Sequence, residues 1–453
     1  MDLDATTSTI LSFESDESMR GSVSQTVDLN FHTRSQMSEQ QVRCARSISA
    51  QAEVLGNEDL LGVIFASAQP VLVNVEETMP SSWAARDILR IALTCKNFYE
   101  PAISVLWRSM ISWAPLLRLI PSVVQREGIF TTDSPIMVED LSRFNFYAKQ
   151  IQHFNLTPKH AKGKNSLPVS SHLGALLAHH RRLENILFPV LQTLTIDMSS
   201  MLPGGIPILF LLPPAALKDI RLKWTNPFDR HVASSFINVL SQLSPALSCL
   251  HLEGYLADGT LDVRRVHDFK QLREVSLKLS PEGQNMTAIP DLWSQLTNLQ
   301  HLTTLCLSLP GSEYLGQFYV PCVFNSLDTF NIKGPMDSVV VILRLIKVSH
   351  LLNFNLTLDE ASLAGLSRMK TLLPASLASL SIHSVCVDAI INFSPDIQSI
   401  DIVSVCAASI IPNAFFAKFS SISRLRKLSI CLEVINFLFV ESLHSAKWKW
   451  PNL

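Results

Sequence analysis

A six-residue template recurs through the last two thirds of this chain: an apolar residue, any two, an apolar residue, any one, and a third apolar residue. It stands at Ile151-Phe154-Leu156, Leu191-Leu194-Ile196, Leu217-Ile220-Leu222, Leu247-Leu250-Leu252, Leu272-Val275-Leu277 and Leu302-Leu305-Leu307. It continues at Leu327-Phe330-Ile332, Leu351-Phe354-Leu356, Leu377-Leu380-Ile382, Ile397-Ile400-Ile402 and Leu425-Leu428-Ile430. From Leu191 to Leu425 the ten copies are separated by nine intervals spanning 234 residues, a mean of 26, and single intervals run from 20 to 30. One copy in a Leu-rich chain carries little information; ten at a near-constant period constrain the fold strongly. The last two apolar positions are two apart, so they share one face of a short strand. A single repeat cannot bury that face alone, so neighbours stack and share one continuous core. Between strands, the amphipathic stretches Val232–Leu243, Asp337–Val348, Asn413–Leu425 and Val434–Ser445 predict helices that return the chain.

The period and the spacing resemble leucine-rich repeats. The resemblance implies an α/β fold for residues 191–453: an irregular solenoid with parallel strands on the concave side and helices on the convex side. The Asn that usually follows three residues after the last apolar position is replaced throughout, for example by Thr225, Pro310, Pro335 and Glu433. Irregular curvature is therefore expected. The chain ends Trp450-Pro-Asn-Leu, much as Phe188-Pro-Val-Leu opens an earlier repeat, so the expectation is either a last apolar face left exposed or a chain truncated at its C-terminus. Residues 111–190 read as a helical connector with a first irregular repeat, one early strand at Ile151–Leu156 and a solvated basic turn at Lys159–Lys164. Residues 1–56 are polar without any sustained apolar period and read as a disordered tail.

Composition narrows the partners. The chain has 37 Lys and Arg against 39 Asp and Glu, a formal net charge of −2, so it has no whole-protein field for nucleic acid. The longest apolar run, Ile206–Leu217, contains Pro207, Pro213 and Pro214 and falls short of the roughly 20 residues a membrane span needs. The N-terminus is acidic and Ser/Thr-rich, unlike a secretory signal. The eight Cys residues are scattered without any CxxC, which fits reduced thiols in an intracellular protein of the cytoplasm or nucleus. Cys249, Cys306 and Cys431 lie in apolar strand-like runs, where a reduced Cys behaves as a small hydrophobe.

Residues 57–110 form a separate pattern. Glu58–Ala66 places Leu60, Leu61, Ile64 and Phe65 at helical spacing, with Asn57 as a candidate cap. A loop follows to Trp83. Arg86–Cys95 is a second helix with Ile88, Leu89, Leu93 and Cys95 on a broad apolar face. Lys96–Glu100 reads as a polar break, and Pro101 as the first turn of a third helix through Trp107. Fifty residues have little core of their own. Leu-Leu-x-x-Ile-Phe, then Asp-Ile-Leu, Ala-Leu-x-Cys and Leu-Trp-Arg, resemble an F-box motif, of the kind abundant in mushroom-forming fungi. Gly56-Asn57 stands where such motifs usually open with Leu-Pro. The resemblance implies a substrate-recruiting adaptor that docks on a Skp-type adaptor of a cullin-RING ubiquitin ligase. It implies docking through Leu60, Leu61, Ile64, Phe65, Ile88, Leu89, Leu93 and Cys95, with Trp107 packing the unit onto the repeats.

No phosphate-binding loop, metal-ligand spacing or nucleophile elbow is present, so no catalytic residue, metal or cofactor is expected. Adjacent His179 and His180 point about 100° apart on a helix and are poorly placed to share a metal. Alternation along the strands points instead to a surface for an unidentified protein partner. Its candidate residues are Thr195, Asp219, Arg221, Lys223, His251, Glu253, Glu274, Lys278, Lys333, Asn355 and His383. The alternative reading is a non-catalytic repeat scaffold or sensor whose F-box-like helices do not bind the Skp adaptor.

Overall fold

A computed structural model of the chain describes residues 57–68, 82–156, 169–184, 187–198, 215–225, 227–255, 265–280, 295–309, 321–348, 350–358, 372–373, 376–384, 398–404 and 426–432. All but Asn57 belong to one compact unit, Glu58–Leu453. The expected helices at Asn413–Leu425 and Val434–Ser445, the basic turn at Lys159–Lys164 and the tail before residue 57 lie outside the described residues.

Twelve strands form one parallel sheet. They are β1 (Ser109–Met110), β4 (His153–Leu156), β5 (Thr193–Asp197), β6 (Asp219–Lys223), β7 (Cys249–Tyr255), β8 (Glu274–Ser280) and β9 (Thr304–Ser308). The sheet continues with β11 (Thr329–Gly334), β13 (Asn353–Leu358), β14 (Ser379–Ser384), β15 (Ser399–Ser404) and β16 (Lys427–Leu432), in that order. The template sets the register. Phe154, Leu194, Ile220, Leu250, Val275, Leu305, Phe330, Phe354 and Leu380 pair from strand to strand, then Ile400 and Leu428. The nine from Phe154 to Leu380 are at most 1% exposed. The first apolar position, from Ile151 through Leu377, is equally buried. Each fully buried Leu stabilises the fold by about 2 kcal/mol, so the repeated template is the main source of cohesion.

Backbone groups complete the stack. The carbonyl two residues before each buried ladder residue accepts two N–H groups from the next repeat. Arg108 accepts from Gln152 and His153, Gln152 from Gln192 and Thr193, and so on to Ala378 from Gln398 and Ser399, all at 2.8–3.1 Å. Beyond the strand ends, Trp224 N–H donates to the Glu253 carbonyl at 2.9 Å and Leu309 N–H to that of Lys333 at 2.7 Å. These direct bonds satisfy backbone where an Asn side chain is lacking.

Helices cover the apolar side. Among them α7 (Pro227–Leu243) contributes Ala233, Phe236, Ile237 and Leu240, and α8 (Met336–Leu345) contributes Val339 and Ile342, to the same core as the strands. The helix expected over Asp337–Val348 stops at Leu345. Ile346–Val348 becomes β12, parallel to β10 (Cys322–Phe324). Its β-branched Ile346 and Val348 favour extension.

The connector is more varied than a run of helices. Between α4 (Ala114–Leu117) and α5 (Leu141–Ala148) lies an antiparallel hairpin of β2 (Val123–Arg126) and β3 (Ile129–Thr132). Its two-residue turn, Glu127 (φ 51°) and Gly128 (φ 77°), has both residues left-handed, the turn that matches strand twist. Helix α6 (Ser171–Glu184) follows.

The N-terminal helices are α1 (Glu58–Ala68), α2 (Ser82–Ala92) and α3 (Lys96–Trp107). Helix α3 begins five residues before Pro101, so Lys96–Glu100 is helix and not a break. Pro101 lies inside it and offers no N–H to the carbonyl four residues back.

Candidate functional site

Two surfaces stand out, one on the sheet and one on the helices. In the sheet, residues between the buried ladders face outward and are half-buried on average. Strands β6 to β8 gather seven of the expected residues into one charged lattice. Arg221 Nη2 lies 3.4 Å from Asp219 Oδ2, Lys223 Nζ 3.4 Å from Glu253 Oε1, and Lys278 Nζ 2.7 Å from that same oxygen. His251 Nε2 is 3.5 Å from Asp219 Oδ1 and 4.0 Å from Glu274 Oε1.

Burial and neighbours tune these groups. Burial lowers the affinity of His251 for a proton, with Arg221 acting in the same direction and Asp219 and Glu274 opposing. His153 is likewise held low by burial and Arg108, and its Nδ1 is 2.6 Å from Thr193 Oγ1. Burial alone raises Glu253, but the bond to Lys278 and the charges of Lys278 and Lys223 outweigh it, leaving the carboxyl below its usual range. Cys249 shares the strand-start row with Asp219 and Glu274, and burial pushes its thiol up.

From β9 to β14 the middle row, Cys306, Asn331, Asn355 and Ser381, is uncharged by contrast. Asn355 Nδ2 donates to Asn331 Oδ1 at 2.5 Å, and Asn331 Nδ2 to Cys306 Sγ at 2.9 Å. Thr195 continues this middle row on β5 beside Arg221, while Lys333 and His383 belong to the strand-end row. The side chain of His383 is outside the described residues. Cys249 and Cys306 face outward, not into the core as their apolar neighbours suggest. Strand parity carries the signal, since each is one residue from a buried ladder position. Asp197, an outward position by alternation, is only 5% exposed. It lies close enough to Asp229 in α7 to raise that carboxyl further, beyond the larger effect of burial.

On the helices, the eight expected docking residues divide. Leu61, Phe65 and Ile88 are at most 5% exposed and form the unit's own core with Ala92, Ala102 and Val105, so they are not a surface. Phe65 also meets Phe98 edge-to-face at 5.8 Å. Leu60, Ile64, Leu89 and Leu93 are exposed by 45%, 50%, 47% and 74%. Val63, one turn from Leu60, joins them and was legible only from that spacing. Cys95 is exposed at the junction before α3, not on the face of α2.

The unit is tied to the sheet through α3. Trp107 stacks on Tyr147 of α5 at 4.4 Å, and Ser104 Oγ donates to Gln150 Oε1 at 3.0 Å. The chain then passes directly into β1, which pairs with β4.

Among the described residues, no cluster of three or more His, Cys, Asp or Glu is placed to hold a metal ion, and no helix is long and apolar enough to cross a membrane. No protein-family model and no curated protein matches the chain. Among solved structures, it is similar to the leucine-rich repeat-containing protein LegL7 of Legionella pneumophila. The match has 14% identity, covers 70% of this chain and 89% of that one, and has a TM-score of 0.31.

Proposed function

We propose that the chain is a substrate-recruiting F-box adaptor of a Skp-cullin-RING ubiquitin ligase. Its sheet is the strand side of a leucine-rich-repeat-type solenoid, and the outward residues form a concave surface for a protein target. One observation carries the reading: α1, α2 and the turn after α2 expose Leu60, Val63, Ile64, Leu89 and Leu93 while α3 is fastened to the sheet. A stable fold leaves such large apolar side chains exposed together where a partner covers them. Such a protein does no bond chemistry. It holds a target at high effective concentration and orients it towards the transferring enzyme.

The test is capture of the full chain by a purified Skp-type adaptor. Wild type is retained, and Leu60→Asp with Leu89→Asp abolishes retention without unfolding the chain. Leu352→Asp, an exposed leucine of the repeats (45%), leaves retention unchanged. Equal retention of all three, or none by folded wild type, overturns adaptor docking and leaves the scaffold reading.

A further inference from the structure

The row at the strand ends holds a regular array that partner binding in general does not require. Pairwise register aligns Lys223, Glu253, Lys278, Ser308, Lys333 and Thr357 on successive strands β6 to β13. Lysines occupy every second strand, 55 residues apart in the chain each time. The row holds one solvent-facing carboxylate, and it meets two of the three: Lys223 and Lys278 share Glu253 Oε1. Their side chains remain 42% and 56% exposed, and Lys333 is exposed beside uncharged Ser308 and Thr357. Asp197, next in the row before Lys223, is buried. The strand-start side has no comparable bias, since Asp219 and Glu274 there neighbour Arg221, Lys218 and Arg273.

We propose that this row docks an extended acidic segment of a protein partner, running across the strands with a carboxylate at every third residue. The inference rests on the reading of the strand face as a binding surface. Two strand steps separate successive lysines by about 10 Å. A polyproline-II segment repeats its face every three residues, about 9.3 Å apart. The intervening Glu253 sharpens the choice, because an unbroken acidic run sets a carboxylate over it, whereas spaced carboxylates avoid it. Like charges so juxtaposed select against the wrong partner.

Fluorescence anisotropy of the full chain with three labelled peptides tests this. One carries Asp at i, i+3, i+6 and i+9, one has the same composition with its Asp contiguous, and one has Asn in place of Asp. The spaced peptide is expected to bind at least about fivefold tighter than the contiguous one, and the Asn peptide weakest. Lys278→Gln and Lys333→Gln each weaken the spaced peptide by about threefold or more, and salt weakens it further. Lys347→Gln, an exposed lysine on β12 outside the row, changes nothing. Equal binding of the spaced and contiguous peptides, or no effect of Lys333→Gln, overturns the proposal. Adaptor capture depends on α1 and α2 and not on these lysines. Its persistence alongside such a result leaves the adaptor reading standing, and its loss leaves the peptide result to be judged by itself.

Discussion

Gly254 has no room for a side chain. A Cβ there sits 2.3–2.4 Å from three atoms of the Trp224 indole, a ring only 2% exposed. Gly254→Ala is expected to destabilise the fold by about 1–3 kcal/mol, read from the urea midpoint, because the indole must leave its packed position. Gly334 is constrained twice. Its φ of 149° disfavours any other residue, and a Cβ meets the Leu309 carbonyl oxygen at 2.9 Å. His251 sets a pH dependence. Its folded proton affinity is depressed, mainly by burial, so the unfolded chain binds more protons in the window below the ordinary value of 6.5. Stability is therefore full above pH 6.5 and falls as pH drops from there towards the folded pKa. Urea midpoints at pH 7.5 and 5.5 should differ, and His251→Gln should shrink the difference; an unchanged difference contradicts the assignment. His153 keeps a share of it, since it is depressed the same way.

At the scale of elements, the strands are held by two apolar ladders and one backbone relay. Phe330→Ala empties a site at 0% exposure in the middle of the sheet and is expected to cost about 3–5 kcal/mol in chemical denaturation. Asn355→Ala removes a half-buried bond to Asn331 and is expected to cost about 1 kcal/mol or less. The difference reflects what could be read in advance. A two-residue period with a buried face leaves one register open to a strand, so the ladder from Phe154 to Leu428 was legible residue by residue. Strand β1 was not, because Ser109–Met110 is too short to carry a period. The hairpin at Glu127-Gly128 breaks the helical spacing expected of the connector, and Val123, Val124 and Ile129 favour its strands. For Cys249 and Cys306, hydrophobicity alone says nothing of side; strand parity puts them outward. The exposed apolar face of the N-terminal helices was half legible: helical spacing picks out the apolar residues but does not say which face α3.

Across the whole molecule, the useful feature is separation. The exposed leucines sit on α1, α2 and the turn after α2, the charged lattice sits on β6 to β8, and α3 joins the first to the sheet through Trp107 and Tyr147. Trp107→Ala removes that stack. It is expected to lower stability by about 3 kcal/mol or less, since the ring is only partly buried, while leaving the apolar face of α1 and α2 intact. The most direct test of the account is hydrogen–deuterium exchange of the full chain with and without a Skp-type adaptor. The account predicts new protection in peptides spanning residues 58–68 and 82–94 and none in strands β6 to β8. Protection on those strands, or no change anywhere with a folded chain, contradicts it.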